Sequence, residues 1–256
     1  MKLGAHVPAH SPLDEAEARG AEVIQVFLSN PQSWKKPKER EDAAVLRNAS
    51  IPIYVHAPYL INPVAENTRA RTPRRRILQE TCDAAADIGA ARVLVHGGHV
   101  TGYESVFDEA FVRWRKALEQ LDSDVRVLIE NTAGGDNAVV RRLDTTARLW
   151  DEIGDLDPGY VLDTCHAWAG GEPLEELVER TREAVGSIDL VHLNDSHDPF
   201  DSRRDRHANL GRGEIPPEHL AAIVAAADAP TVVETPGDAD DHRSDLAWIT
   251  ERLGSA

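Results

Sequence analysis

Six short apolar runs in this chain each end in a residue able to bind a metal ion. They are IPIYVH, closing on His56, RVLVH on His96, RVLIE on Glu130, YVLD on Asp163, DLVH on His192 and TVVE on Glu234. Short segments rich in Val, Ile and Leu form strands buried on both faces, as in a parallel sheet. When such strands close into a barrel, the residues at their C-terminal ends meet at its mouth. The six endings therefore predict a barrel whose mouth gathers imidazoles and carboxylates around a common ligand.

Strand-like runs at 2–6, 23–27, 53–56, 92–96, 126–130, 159–163, 188–193 and 231–234 alternate with amphipathic segments near 12–20, 38–48, 69–88, 103–121, 142–153, 173–185, 217–227 and 244–252. Strand–helix alternation implies parallel pairing through right-handed crossovers. Eight such units predict an α/β fold, a single (β/α)8 TIM barrel over residues 1–256 with the metal site at the C-terminal face of the strands. The 256 residues match the roughly 250 typical of this architecture. Gly20 and Gly89 stand where helices should stop, and Pro173 suits a first helical turn. The longest irregular stretch, 194–216, carries His197, Asp205 and His207; a loop of that length in a compact domain is usually functional.

Composition limits the partners. A net charge of −16 and a pI near 5.1 argue against a nonspecific polyanion binder. Against that far field, basic residues cluster after strands: Lys35, Lys36 and Lys38, then Arg69, Arg71, Arg74, Arg75 and Arg76, then Arg203, Arg204 and Arg206. Three bound divalent cations would also turn the local charge of the acidic mouth positive. No stretch approaches the roughly 20 apolar residues of a membrane span, and the start, MKLGAHVPAH, lacks an apolar leader. The expected setting is the cytoplasm, where Cys82 and Cys165 remain thiols.

The candidate ligands are His56, His96, Glu130, Asp163, His166, His192, Asp205, His207 and Glu234. Asp163 and His166 lie three apart in DTCH; Asp205 and His207 lie two apart in DRH, on one side of an extended segment. Imidazole with carboxylate suits Zn²⁺, and also Mn²⁺ or Fe²⁺. Five histidines and four acids exceed one tetrahedral ion and suit two or three. Such clusters serve phosphoester hydrolysis, because neighbouring metals can share a hydroxide nucleophile and steady both attacking and leaving oxygens. Neither a GxSxG motif nor a Walker phosphate loop occurs. His10, His99, His197, His219 and His242 are expected to be ordinary, mostly exposed residues, with His99 the strongest exception.

The segments GAHV, NPQSW, YLIN, ENTAG, LDTCHAWAGG, HLNDS, DRHANLGRGEI and VVETPG resemble, in order, those of endonuclease IV, a zinc-dependent apurinic/apyrimidinic DNA repair enzyme. The similarity runs from about residue 3 to residue 250. It implies three Zn²⁺ per chain, with Mn²⁺ able to take some of the positions. His56 and His96 would hold one zinc, and Glu130 would bridge it to a second held also by Asp163, His192 and Glu234. His166, Asp205 and His207 would hold the third. Glu130 and Glu234 would then be the catalytic carboxylates. The implied reaction is hydrolysis of the phosphodiester 5′ to an abasic site, leaving a 3′-hydroxyl and a 5′-deoxyribose phosphate; the family also trims blocked 3′ ends. The implied partner is double-stranded DNA carrying such lesions, bound by a monomer. Tyr59 and Leu60 match positions that insert at the lesion.

Two departures stand out. Gln32 occupies a place where the family often carries an intercalating Arg, and HGGH after the fourth strand is shorter than the usual HPGSH. The residues alone also admit a divalent-metal sugar isomerase-like barrel, or a DNA-binding barrel with weak or no turnover.

Overall fold

The computed structural model describes residues 1–101 and 107–254, with residues 68–70 described by backbone only. Eight parallel strands close a barrel: β1 (Leu3–His6), β2 (Val23–Val26), β3 (Ile53–His56), β4 (Arg92–His96), β5 (Val127–Glu130), β6 (Gly159–Asp163), β7 (Leu190–His192) and β10 (Thr231–Val233). They follow one another in chain order round the ring, and β10 closes it against β1. A two-residue antiparallel ladder, β8 (Asp195–Ser196) with β9 (His207–Ala208), lies outside the barrel.

The surrounding helices are α1 (Pro12–Arg19), α2 (Ala43–Arg47), α3 (Thr68–Asp87), α4 (Phe107–Glu119), α5 (Leu143–Ile153), α6 (Thr164–Ala169), α7 (Leu177–Val185), α8 (Pro217–Ala227) and α9 (Ala239–Gly254). Local chemistry explains several ends. In α1, Pro12 opens the helix, Asp14 and Glu15 face its positive end, and Gly20 closes it at φ +66°. Gly89, at φ +67°, plays the same part after α3.

Three expectations need correction. The helix expected from residue 38 begins at Ala43. Its polar lead-in has little to bury and is instead pinned by the two-pronged Arg40–Asp42 pair, at 2.8 and 2.7 Å. Pro173 lies four residues before α7 and not in its first turn, because Glu176 adopts a left-handed conformation that starts the helix later. The stretch 194–216 is not wholly irregular, since it contains the β8–β9 ladder. The start expected at residue 103 for the fourth helix falls outside the described residues.

The core has two parts. The larger packs the outer faces of the strands against the helices. The smaller comprises Val23, Tyr54, Leu94, Leu128, Val161, Leu190 and Val232, one from each of seven strands, and plugs the barrel interior. Gly4 takes the corresponding level of β1: a Cβ there would fall 1.7 Å from the Val23 carbonyl oxygen.

Candidate metal centre

Side chains two residues apart on a strand share a face. Moving two residues beyond each member of the interior plug reaches Gln25, His56, His96, Glu130, Asp163, His192 and Glu234; beyond Gly4 it reaches His6. The barrel mouth is therefore ringed by eight polar side chains, one above each plug position. Register keeps them level: His6 pairs with Gln25, His96 with Glu130 and Asp163 with His192. His6 and Gln25 belong to this ring, and strand composition alone does not single them out.

The nine sequence-derived donors form three groups, with the ligand atoms of each group within 4.8 Å of one another. One is His56, His96 and Glu130; another is Glu130, Asp163, His192 and Glu234; the third is His166, Asp205 and His207. Glu130 is fully buried and joins the first two. Its Oε2 lies 3.4 Å from His56 Nε2 and 3.6 Å from His96 Nε2, while its Oε1 lies 3.0 Å from His192 Nδ1. Asp205 Oδ1 stands 3.1 Å from both His166 Nε2 and His207 Nε2. Cys165 also lies near Asp163 and His207, but burial pushes its thiol up to about 12, so it remains a small uncharged side chain.

The elements that hold these side chains are short and specific. Asp163 caps α6, its Oδ1 accepting the His166 amide at 2.6 Å, while Oδ2 accepts from Asn194 Nδ2 at 2.7 Å. Capping and ligand readings of Asp163 thus coincide in one residue. Asn131 exchanges two hydrogen bonds with the Asp163 backbone, at 2.9 and 2.7 Å. Asn194 Oδ1 accepts the Glu234 amide at 2.8 Å. Buried Asp195 accepts from four amides, Ser196, Gly211, Gly213 and Ile215, at 2.8–3.0 Å. That carboxylate shapes the turn following the DRH segment.

Outer contacts fix which imidazole nitrogen faces inward. The Nδ1–H groups of His56, His166 and His207 donate to the carbonyls of Ala57, Asn131 and Glu234, at 2.7, 2.9 and 3.2 Å. A carbonyl oxygen can only accept, so in each neutral ring Nε2 is left bare. His192 is turned the other way: Nε2 contacts Gln25 Oε1 at 2.7 Å and Nδ1 faces the carboxylates. Metal-binding histidines are typically held by this arrangement, the distal N–H bonded and the proximal nitrogen bare.

The donors fit a cation. Glu130 Oε2, His166 Nε2 and His207 Nε2 are buried without a hydrogen-bond partner. Although Asp205 Oδ1 lies 3.1 Å from both imidazole nitrogens, neither contact is aligned as a hydrogen bond. Bare nitrogens and carboxylate oxygens at such distances repel unless a proton or a cation lies between them. In the metal-free chain, positive charge on the rings offsets part of that repulsion. Burial opposes charge on His192, yet Glu234 and Glu130 push its pKa up to about 9. Burial likewise opposes charge on His207, but Asp205 and Asp163 bring it up to about 9. Burial alone would raise Glu130, but His192 and His96 hold its carboxyl well below the usual range. Burial pulls His96 down to about 4 despite Glu130, so that ring offers a neutral donor at neutral pH.

Of the three residues expected from the sequence to contact DNA, Tyr59 touches this centre. Tyr59 is half-exposed and rests on the ligand rings, with centroids 5.5 Å from His96 and 5.4 Å from His56. It is thus both a projecting aromatic and an anchor of its loop. Leu60 is partly exposed and its carbonyl accepts from Arg74 Nε at 3.1 Å. Gln32 is exposed, its amide held by Asn30 Oδ1 at 2.9 Å. Trp34 projects nearby beneath the Arg74 guanidinium.

Two further expectations change. His242 is buried, accepting from Arg19 Nε at 2.9 Å and donating to the Thr235 carbonyl at 2.8 Å. His99 is exposed and belongs to none of the three donor groups. Several members of the basic clusters are engaged by neighbouring protein groups. Arg75 turns to α4, bonding Gln120 and the Arg113 carbonyl. Arg206 is held by Asp198 at 2.6 Å, and Arg203 by Asp136 at 2.9 Å.

Residues 13–252 match the family model described as a xylose isomerase-like TIM barrel. The chain is 59% identical to a Mycobacterium marinum protein named probable endonuclease 4, the alignment covering 100% of both chains. It is also 59% identical, again with 100% of both chains covered, to a protein of the same name from Mycobacterium tuberculosis. Among solved structures it resembles endonuclease IV from Thermus thermophilus, with a TM-score of 0.86, 28% identity and full coverage of both chains. A D-tagatose 3-epimerase-like protein shares the barrel at a TM-score of 0.76 and 18% identity, covering 100% of this chain and 99% of its own, a likeness of fold alone.

Proposed function

The chain belongs to the endonuclease IV family, and from that premise we propose that it is a DNA repair endonuclease that hydrolyses the phosphodiester 5′ to abasic sites, with zinc as its cofactor. The observation that carries this reading is the convergence of nine donors, in three groups, on one barrel mouth. His56, His96 and Glu130 would hold one ion. Glu130, Asp163, His192 and Glu234 would hold a second, and His166, Asp205 and His207 a third. Five imidazoles among nine donors favour Zn²⁺ over the oxygen-rich sets that suit Mg²⁺ or Mn²⁺.

Zinc held there supplies positive charge for the phosphodiester and acidifies water at neutral pH. The chain's own groups prepare that chemistry. Glu130 presents one carboxylate oxygen to each of two donor groups, which keeps the groups at a fixed separation. Glu234 is oriented at both ends: its amide is held by Asn194, and its carboxylate by Gln25 at 2.5 Å. Tyr59 stands beside the first group, where its ring can stack on a base or fill the gap at a missing one, a contact of about 1–3 kcal/mol per base. Gln32 puts a neutral side chain where an intercalating Arg would add charge, so insertion at that one position would rest on shape, while Lys35, Lys36 and Lys38 supply the positive charge of the same loop.

Among the described residues no helix is long and apolar enough to cross a membrane. The proposed working form is a monomer of one domain, residues 1–256, acting in the cytoplasm on abasic duplexes and blocked 3′ ends.

A duplex carrying one tetrahydrofuran abasic analogue tests the reading. Incision on its 5′ side, leaving a 3′-hydroxyl, with near three Zn per chain is expected. One or two Mn with sugar isomerisation would replace this reading, and tight binding without incision by the zinc-loaded protein would reduce it to a binding barrel.

A further inference from the structure

Gln25 is the one amide in the ring of side chains at the barrel mouth, and it is fully buried. It touches three ring members at once. Its Oε1 lies 2.7 Å from His192 Nε2, and its Nε2 lies 2.5 Å from Glu234 Oε1 and 2.9 Å from His6 Nδ1. An amide has one face that accepts and one that donates, and which is which must follow from its neighbours. Here the neighbours decide it. Glu234 presents a carboxylate oxygen 2.5 Å from the amide, and a carboxylate can only accept. Turning the amide over would set oxygen against oxygen at 2.5 Å, a contact without a proton. The amino group therefore faces Glu234, and the carbonyl oxygen faces His192.

Two consequences follow for the rings. Because Gln25 Oε1 can only accept, His192 keeps a hydrogen on Nε2, so Nδ1 is the nitrogen that can be bared towards Glu130, Glu234 and Asp163. The three other tautomer-fixed rings of the cluster achieve this with backbone carbonyls bonded to Nδ1; His192 alone has a side chain for the task and presents the opposite nitrogen. The second amino hydrogen of Gln25 points to His6 Nδ1, so that nitrogen accepts and His6 carries its own hydrogen on Nε2.

We infer that Gln25 is a positioning residue of the metal centre: anchored by Glu234, it fixes the hydrogen on His192 Nε2 and so turns His192 Nδ1 and the Glu234 carboxylate to one ion. This rests on the proposed zinc-dependent function, but its test does not need DNA. Gln25→Met keeps the side-chain length and removes all three polar contacts. Zinc alone is titrated into metal-free wild-type and variant chains against a competing chelator. The imidazole N–H signals of the zinc-loaded, ¹⁵N-histidine-labelled proteins are recorded alongside, with His192→Gln assigning the resonance.

In the wild type a slowly exchanging His192 Nε2–H is expected. In Gln25→Met that signal should exchange with solvent. One zinc equivalent should weaken about ten- to a hundredfold, the usual effect of losing an outer partner of a ligand, while the others hold. A merely structural role would weaken all equivalents together or none. Zinc affinity within twofold of wild type, a uniform loss, or an unchanged His192 signal overturns the inference. Should Gln25→Met fail to fold, Gln25→Glu can still accept from His192 but cannot donate to Glu234. It should keep the His192 signal and lose affinity for one equivalent, and unchanged affinity overturns the inference there too. Wild-type chain that binds three zinc ions yet leaves an abasic duplex intact would count against the nuclease reading and leave the role of Gln25 standing.

Discussion

Replacing Glu130 by Gln tests the centre at its junction. The substitution keeps the shape of the side chain and removes one charge from a fully buried position, with four imidazole nitrogens within 3.0–3.6 Å of its oxygens. At an effective dielectric of 20, one charge pair at about 4 Å is worth about 4 kcal/mol. If that difference falls on the transition state, the rate drops by about three orders of magnitude. The fold should persist, because the pairing of Glu130 with His96 and Val161 uses backbone groups only. The assay is single-turnover incision of the tetrahydrofuran duplex at saturating zinc, with metal content measured on the same samples and folding followed by circular dichroism. A variant that retains its zinc and incises within tenfold of wild type would refute the assignment of Glu130 as the group shared between two donor sets.

Other outcomes follow from the same geometry. Tyr59→Ala should weaken binding of the abasic duplex by about ten- to a hundredfold, the scale of one lost base-stacking contact, without loss of zinc; unchanged affinity in a fluorescence titration would rule out a DNA role. Zinc uptake should release protons. His192 and His207 both titrate near 9 in the metal-free chain and must lose a proton to bind, so release near two protons from this pair is expected at about pH 7.5, fading as the pH passes 9. Calorimetry in buffers of differing ionisation enthalpy reads this directly, and a pH-independent zinc affinity would contradict it. By the same linkage, the imidazolium–carboxylate contacts of these two rings stabilise the metal-free chain fully below about pH 6.5, the unfolded value, and are lost as the pH rises through 9. Leu128→Ala, in the interior plug, should cost about 2–5 kcal/mol and lower the melting temperature by about 2–4 °C per kcal/mol; a shift under about 2 °C would mean that the interior re-packs.

Most strands were legible because they are compact apolar runs, and six of them announce their ends with a ligand-type residue. The nine donors were legible for the same reason, strengthened by the DTCH and DRH spacings. His6 was harder to see because its strand, LGAH, has little bulk: Gly4 is forced by the approach of β2, which is a tertiary fact. Gln25 sits inside VIQVF and reads as a polar interruption; only the two-residue spacing from Val23 marks it as a member of the mouth. The burial of His242 depends on Arg19, 223 positions away, and no local pattern carries such a pairing. The late start of α7 turns on one left-handed residue, Glu176, of a type that rarely adopts that conformation. The β8–β9 ladder is two residues long on each side, too short to leave an alternation in the sequence.

The closure of β10 on β1 joins the two ends of the chain at the wall of the barrel. Glu234 follows immediately after that last strand, so a growing chain that has not yet reached it possesses neither the final donor nor the wall that completes the cylinder. The earlier histidines and acids would by then be made but not assembled. Assembly of the mouth therefore waits on the last strand, and a chain that stops short of it lacks both Glu234 and the pairing that shuts the barrel.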